Sequence, residues 1–260
     1  MKFISTLLLG FVIFSADAQN WKITSAYSLG APRKEMGNNI PLVHSAQAGF
    51  LYRMPGVFNR LSAGIELGLG IYASKRIEQT FQFNNNVTAV LPVSYNSNVF
   101  NGAMQLRYDL AGQKSLVVPY VQAKGGLYNF FSNIFIDDPH DPDGCRALQQ
   151  ENIINDKTLY WSAGTGLQVD PSIFTKRKYR GRVMIDLSVN MVKGGELSYI
   201  NTKRLMSAQD VSTNGGKPLS VQFINASTQE IHEHTVAQVY TSALRLLEFR
   251  AGVTVNLGDD

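Results

Sequence analysis

Apolar and polar residues alternate along eight stretches of this chain, most clearly from Leu61 to Ile71. There Leu61, Ala63, Ile65, Leu67, Leu69 and Ile71 hold one parity, and Ser62, Gly64, Glu66, Gly68 and Gly70 hold the other. The last stretch repeats the pattern, with Leu247, Phe249, Ala251, Val253, Val255 and Leu257 set against Glu248, Arg250, Gly252, Thr254 and Asn256. Successive side chains of a strand point to opposite faces, so each stretch predicts a strand with one greasy face and one polar or empty face. The other six run from Trp21 to Leu29, Ala46 to Met54, Phe100 to Leu110, Val117 to Leu127, Leu159 to Val169 and Val183 to Met191. About ten residues of tilted strand suffice to cross a bilayer. The pattern therefore predicts an all-β fold, an eight-stranded antiparallel up-and-down transmembrane β-barrel.

The connections sharpen that reading. Three are modest (Pro55 to Arg60, Ala111 to Leu116, Pro171 to Arg182) and four are long (Gly30 to Ser45, Ala73 to Val99, Tyr128 to Thr158, Val192 to Leu246). They alternate, beginning with a long one, as in barrels with short periplasmic turns, long extracellular loops and both termini in the periplasm. Trp21, Tyr52 and Tyr108 fall at one end of the apolar faces and Phe100, Trp161 and Phe249 at the other, forming two rough aromatic girdles. The competing architecture is a secreted sandwich whose greasy faces meet in a core. Its outer faces should be rich in Lys, Glu and Thr, whereas here Gly64, Gly68, Gly70, Ala103, Gly164, Gly166 and Gly252 occupy the second face. Small residues suit a narrow lumen. Within the long connections, Thr80 to Phe83 and Val87 to Val93 flank Asn84-Asn85-Asn86, and Ser220 to Ile224 and Thr235 to Tyr240 flank Asn225 to Gln229. Such β-prone runs around turn residues predict extracellular hairpins that carry the wall above the membrane.

The first 18 residues read as a secretory signal peptide: Lys2, a mostly apolar run from Phe3 to Phe14, and the small-x-small Ala16-Asp17-Ala18. Residues 19–260 are then the barrel domain. Past residue 18 no run of 18 apolar residues occurs, so no transmembrane helix is expected. A mean hydropathy of -0.09 with 44% hydrophobic residues is what alternation produces. The single cysteine, Cys145, excludes an intrachain disulfide framework, and a net charge of +4 is too small to point to nucleic acid.

With these features the chain resembles the small, porin-like outer-membrane β-barrels of the OmpA/OmpX type, in particular those of Bacteroidetes-type Gram-negative bacteria. The resemblance covers Gln19 to Leu257 and rests on the signal sequence ending at Ala18-Gln19, the eight alternating strands and the closing strand Phe249 to Leu257. It implies a cell outer membrane location, contact with outer-membrane lipid, and insertion by the barrel-assembly machinery. Such chains usually finish on an aromatic residue, whereas this one reads Leu257-Gly258-Asp259-Asp260. Recognition during assembly is therefore expected to rely on Phe249 or on the last strand as a whole.

On the polar faces, Glu66, Asp109, Asp186 and Glu248 oppose Arg53, Arg107, Lys124 and Arg250. Eight strands leave an interior that side chains can fill, and buried charges must be paired or solvated. Two readings stay open: a plug of ion pairs, which the balance of signs favours, and a narrow path for small solutes. Three loop features carry weaker signals. Asp138, Asp141 and Asp143 cluster like ligands of a hard cation, although Pro139 breaks the EF-hand spacing. His232 and His234 share one face of a strand, as a transition-metal pair would, with His140 as a distant third ligand. Lys176, Arg177, Lys178, Arg180 and Arg182 sit in a turn expected beside anionic headgroups. No nucleophile motif such as G-x-S-x-G accompanies His44 or the loop histidines, so neither an enzyme nor a cofactor is expected. The large extracellular loops predict a structural or partner-binding subunit with a protein partner at the cell surface.

Overall fold

The computed structural model describes residues 20–82, 88–112, 115–137, 147–174, 182–203, 205, 216–224 and 231–257. The strands are β1 (Trp21–Pro32), β2 (Val43–Arg53), β3 (Leu61–Gln82), β4 (Thr88–Asp109), β5 (Val117–Asp137), β6 (Ala147–Val169), β7 (Val183–Ile200), β8 (Lys217–Ile224) and β9 (Ile231–Asn256). A short helix, α1 (Glu35–Asn39), links β1 to β2. Each barrel strand pairs antiparallel with its neighbour, and β1 pairs with β9 from Lys22–Asn256 to Pro32–Leu246, which closes an eight-stranded up-and-down barrel. The eighth wall strand is thus β9, and β8 is an additional strand hydrogen-bonded to the upper part of β9. The modest connections lie at one end, here called the lower end. Two of them are tightened by single turns of 3-10 helix, Gly56–Phe58 and Pro171–Ile173.

All eight predicted stretches lie in the wall, but the strands overrun them. β3 and β4 each have 22 residues, β5 has 21 and β6 has 23. At about 3.3 Å per residue such strands reach roughly 70 Å, against the 9–11 residues a bilayer crossing needs. The expected long connections Ala73 to Val99, Tyr128 to Thr158 and Val192 to Leu246 are therefore largely strand. The two pairs of β-prone runs form hairpin arms, Ala73–Gln82 against Thr88–Ser97 and Lys217–Ile224 against Ile231–Val239. The signal peptide, the Asn84–Asn86 turn, Cys145 and Lys176 to Arg180 lie outside the described residues.

Two glycines show how tightly the narrow wall coils. A Cβ on Gly64 would overlap the Phe50 carbonyl oxygen of β2, and one on Gly252 would overlap the Ser25 carbonyl oxygen of β1. Close approach of a neighbouring backbone is a standard reason for glycine inside a strand.

In the lower half, apolar side chains point out and polar ones in. Tyr27, Phe50, Ile65, Leu67, Met104, Leu106, Val121, Leu159, Leu187, Val189, Met191 and Phe249 are all exposed on the outer wall. In the upper half the sense reverses. Along β4 the inward positions read Leu91, Val93, Tyr95, Ser97 and Val99, then Asn101, Ala103, Gln105, Arg107 and Asp109. The inside is thus apolar above and polar below.

The cylinder also opens upward. β6 pairs with β7 only up to Tyr160–Gly194, and β2 leaves β3 at His44–Ile71. Above those points β3, β4, β5 and β6 form one sheet and β7, β9 and β8 another. Phe81, Leu91, Val93, Tyr95, Ile134, Ile136 and Ile154 of the first pack with Ile200, Val236 and Ala237 of the second. The crown is thus a β-sandwich continuous with the barrel wall.

Candidate functional site

The interior of the barrel is occupied in three tiers, each set by which side chains the period of two turns inward. The lowest is ionic. Lys22 Nζ donates to Asp109 Oδ2 at 2.8 Å, and Arg107 donates from Nε to Asp109 Oδ1 and from Nη1 to Asp186 Oδ2, both at 3.0 Å. Tyr120 lies under the Arg107 guanidinium, 3.5 Å from carbon to ring centroid, and donates its hydroxyl to Asp186 Oδ1 at 2.5 Å. Gln168 and Thr254 also donate to Asp186 Oδ2, each at 2.9 Å. Arg107 thus bridges two carboxylates, and each carboxylate takes several donors, an arrangement that compensates buried charge.

The middle tier centres on Glu66. Lys124 Nζ reaches Glu66 Oε1 at 2.6 Å and Arg250 Nη2 reaches Oε2 at 2.7 Å, so each carboxylate oxygen faces one base. Glu248 lies 4.0 Å from Lys124 and accepts from Gln47 at 2.9 Å and Asn190 at 3.1 Å. Asn190 in turn accepts from Gln122 at 2.6 Å, and Gln122 accepts from Gln105 at 2.7 Å. Between the two ionic tiers lies a cavity of about 10 Å³, bordered by Arg107, Tyr120, Gln122 and Arg250. That is the lower limit for one water molecule.

The top tier is apolar. α1 folds inward, and its Met36 and the following Ile40 are completely buried, against Tyr72, Val99, Tyr128, Phe130, Tyr160, Leu197, Tyr199 and Leu244. The rings interlock: Tyr72 and Phe130 lie 5.2 Å apart, and Tyr128 meets Tyr160 edge-on at 5.4 Å. Two of the tyrosine hydroxyls of this tier are paired, Tyr72 with Ser132 at 3.0 Å and Tyr199 with Ser242 at 2.7 Å. α1 is tied down by Asn39, which bonds Tyr199 and Asn201, and by Lys203, which donates to the Gly37 carbonyl at 2.5 Å.

All six residues singled out for the lumen, Glu66, Arg107, Lys124, Asp186, Glu248 and Arg250, point into it, and the structure brings them together as described. Asp109 joins the lower tier. Among the described residues Arg53 does not join the ion pairs; it is half-buried at the lower mouth, lining the same vestibule as Asp109. Lys22, absent from the sequence-derived set, is the partner of Asp109 and is almost wholly buried. Its signal was its place between outward Trp21 and Ile23. Gln47, Tyr120 and Asn190 likewise sat at inward parity, but only the folded wall shows which charge each serves.

The metal candidates fare differently. Asp138, Asp141 and Asp143 lie outside the described residues. His232 and His234 sit in β9 opposite Phe223 and Val221 of β8, and their side chains are outside what the structure describes. His44 is on the outer wall, its Nδ1 2.6 Å from the Tyr27 hydroxyl.

No family model matches the chain, and no curated protein matches it. Among solved structures it is similar to Neisserial surface protein A, with 14% identity over 91% of this chain and 95% of that one and a TM-score of 0.40. It is also similar to a major outer membrane protein from Thermus thermophilus, with 10% identity over 90% and 98% and a TM-score of 0.42. A third is the N-terminal β-barrel domain of Pseudomonas aeruginosa OprF, with 9% identity over 91% and 97% and a TM-score of 0.32. The fold assignment rests on the strand pairing of this chain itself: a closed, antiparallel, up-and-down barrel of eight strands.

Proposed function

We propose that this chain is an outer-membrane β-barrel with a closed lumen, acting as a structural or partner-binding subunit at the cell surface. The observation that carries the reading is the filled interior: ion pairs through the apolar-belted half of the wall, then an aromatic and aliphatic core above them. The outer membrane supplies the solvent for the belt. Leu159 and Met104 are 73% and 77% exposed, a condition suited to lipid and not to water. Assembly machinery would recognise the closing strand β9, whose Phe249 faces outward. Placement among the barrels of Bacteroidetes-type bacteria rests on the sequence resemblance alone. Passage of small solutes, the other use of a narrow barrel, gains no support from this interior.

The crown is the part offered to a partner. β8 ends its sheet, and among the described residues its outer edge pairs with no strand. An unpaired edge can accept a strand from another protein. A photo-crosslinking residue in place of exposed Gln222 on β8, compared with one in place of Leu187 on the belt, tests this in native outer membranes. Protein adducts from position 222 with only lipid adducts from 187 are expected. Lipid adducts or none at both positions would remove the partner-binding reading, and recovery of the chain in the soluble periplasm would remove the membrane reading.

A further inference from the structure

Four bases gather on the outer wall where the greasy belt ends. Lys193 of β7 and Arg245 of β9 are direct cross-strand partners. Both share the outward face with Met191 and Leu247. Arg33 donates its backbone N–H to the Arg245 carbonyl at 2.9 Å, so the end of β1 brings Arg33 and Lys34 alongside. Like charges directly opposite on one sheet face cost stability. Among the described residues none of the four has a carboxylate partner, although Glu35 and Glu196 are exposed nearby. A further acid, Asp156, is committed to the Ser198 backbone N–H at 2.8 Å.

The wall is also indented here. β6 and β7 part immediately above Tyr160–Gly194, and Gly194-Gly195 form the bulge at which β7 changes register against β9. The parting leaves a cleft of about 380 Å³ between Leu159, Trp161, Lys193 and Arg245. A second cleft of about 220 Å³ lies between Arg33, Lys34, Met191 and Leu247 and shares Lys193 and Arg245 with the first. Lys193 Nζ sits 5.4 Å from the centroid of Trp161, a ring at the upper girdle. Below the clefts the exposed Leu187, Val189, Met191 and Phe249 run down the belt. Basic side chains grouped above a lipid-facing apolar surface match an amphiphile with an anionic head and hydrocarbon tails.

We propose that this patch is a binding site for a phosphorylated lipid of the outer leaflet, its phosphate held by Lys193, Arg245, Arg33 and Lys34 and its acyl chains laid along β7 and β9. The proposal rests on the outer-membrane reading and adds a ligand class to it. The phosphate relieves the Lys193–Arg245 repulsion, and the bulge at Gly194-Gly195 makes room for the headgroup beside Trp161.

The chain contains two tryptophans, Trp21 and Trp161, so a Trp21→Phe variant leaves Trp161 as the sole tryptophan beside the site. Its fluorescence in detergent is titrated with diphosphoryl lipid A, with the same lipid stripped of phosphate, and with sodium phosphate. The expected result is a saturable response to the phosphorylated lipid alone, weakened about tenfold or more by adding Lys193→Gln and Arg245→Gln. Without lipid, the same pair of substitutions should leave the barrel as resistant to heat as before or more so, because a repulsion has been removed. An equal response to the dephosphorylated lipid would reduce the site to the apolar belt. A response to phosphate alone would make it a free-anion site, and unchanged affinity in the Gln variant would remove the four bases from it; each overturns the proposal. The membrane reading is judged separately by fractionation, so a barrel found in the outer membrane with no lipid preference sinks this inference alone.

Discussion

Glu66 shows most directly what one residue does in this lumen. Its two oxygens are each taken by one base, Lys124 and Arg250, and all three side chains are buried. Removing one partner of a buried pair leaves uncompensated charge, which costs about 3–5 kcal/mol. Glu66→Gln is therefore expected to lower the temperature at which the folded band is lost on a gel. Glu78→Gln, at an exposed position of β3, should stay within about 0.5 kcal/mol of the parent. Equal loss in both variants would show that the middle tier does not stabilise the barrel. Alternation was enough to send Glu66, Lys124 and Arg250 inward. It could not pair them, because residues 58 and 184 positions from Glu66 meet only when the wall closes.

At the scale of elements, the alternation does not stop where the predicted strands end; its sense inverts. In β4 the outward face carries Phe100, Met104, Leu106 and Tyr108 low on the wall and Ser94, Asn96 and Asn98 high on it. Val99 and Phe100 are adjacent apolar residues on opposite faces, so the switch reads as a break in a search for one continuous greasy stripe. Bulges at Tyr72 of β3 and at Gly194-Gly195 of β7 shift the parity again. On the proposed membrane placement the inversion follows from a change of solvent, with lipid outside and charge inside below, and water outside and a dry core inside above. The crown should accordingly fail independently of the barrel. Ile134 is fully buried in the crown, and Ile134→Ala should cost about 2–5 kcal/mol there. Intact cells should then show protease cuts in the upper arms while the lower wall keeps its heat-resistant band. Loss of that band along with the crown would mean that the two halves fold as one unit.

For the whole molecule, closure of the interior predicts the electrical behaviour. Purified protein in planar bilayers should give little or no steady conductance, since ion pairs and an apolar core occupy the interior. Large uniform channels would contradict the closed lumen. Orientation is equally open to test. An epitope tag placed between Gln82 and Thr88, at the upper end, should be reached by antibody on intact cells, and one at Gly112 in the lower turn should be reached only after lysis. The opposite result would invert the topology and move the β8 edge and the basic patch to the inner side.

Local pattern determined a good deal by itself. Eight strands, their approximate places, their outward and inward faces and the short-long order of their connections all follow from a period of two and from turn residues, because those are properties of neighbours along the chain. The hairpin arms were legible too, since Thr80 to Phe83 and Thr235 to Tyr240 are β-prone in their own right. Only the tertiary structure decided the rest. Lys22 meets Asp109 across 87 residues, Met36 of α1 and the following Ile40 plug the top of the lumen, and the upper strands part into two sheets instead of continuing a cylinder. Lys193 and Arg245 are likewise 52 positions apart in the chain and become a single charged patch only through the β7–β9 register. Each of these depends on contacts between distant segments, and an alternating pattern specifies which way a side chain points but not what it will find there.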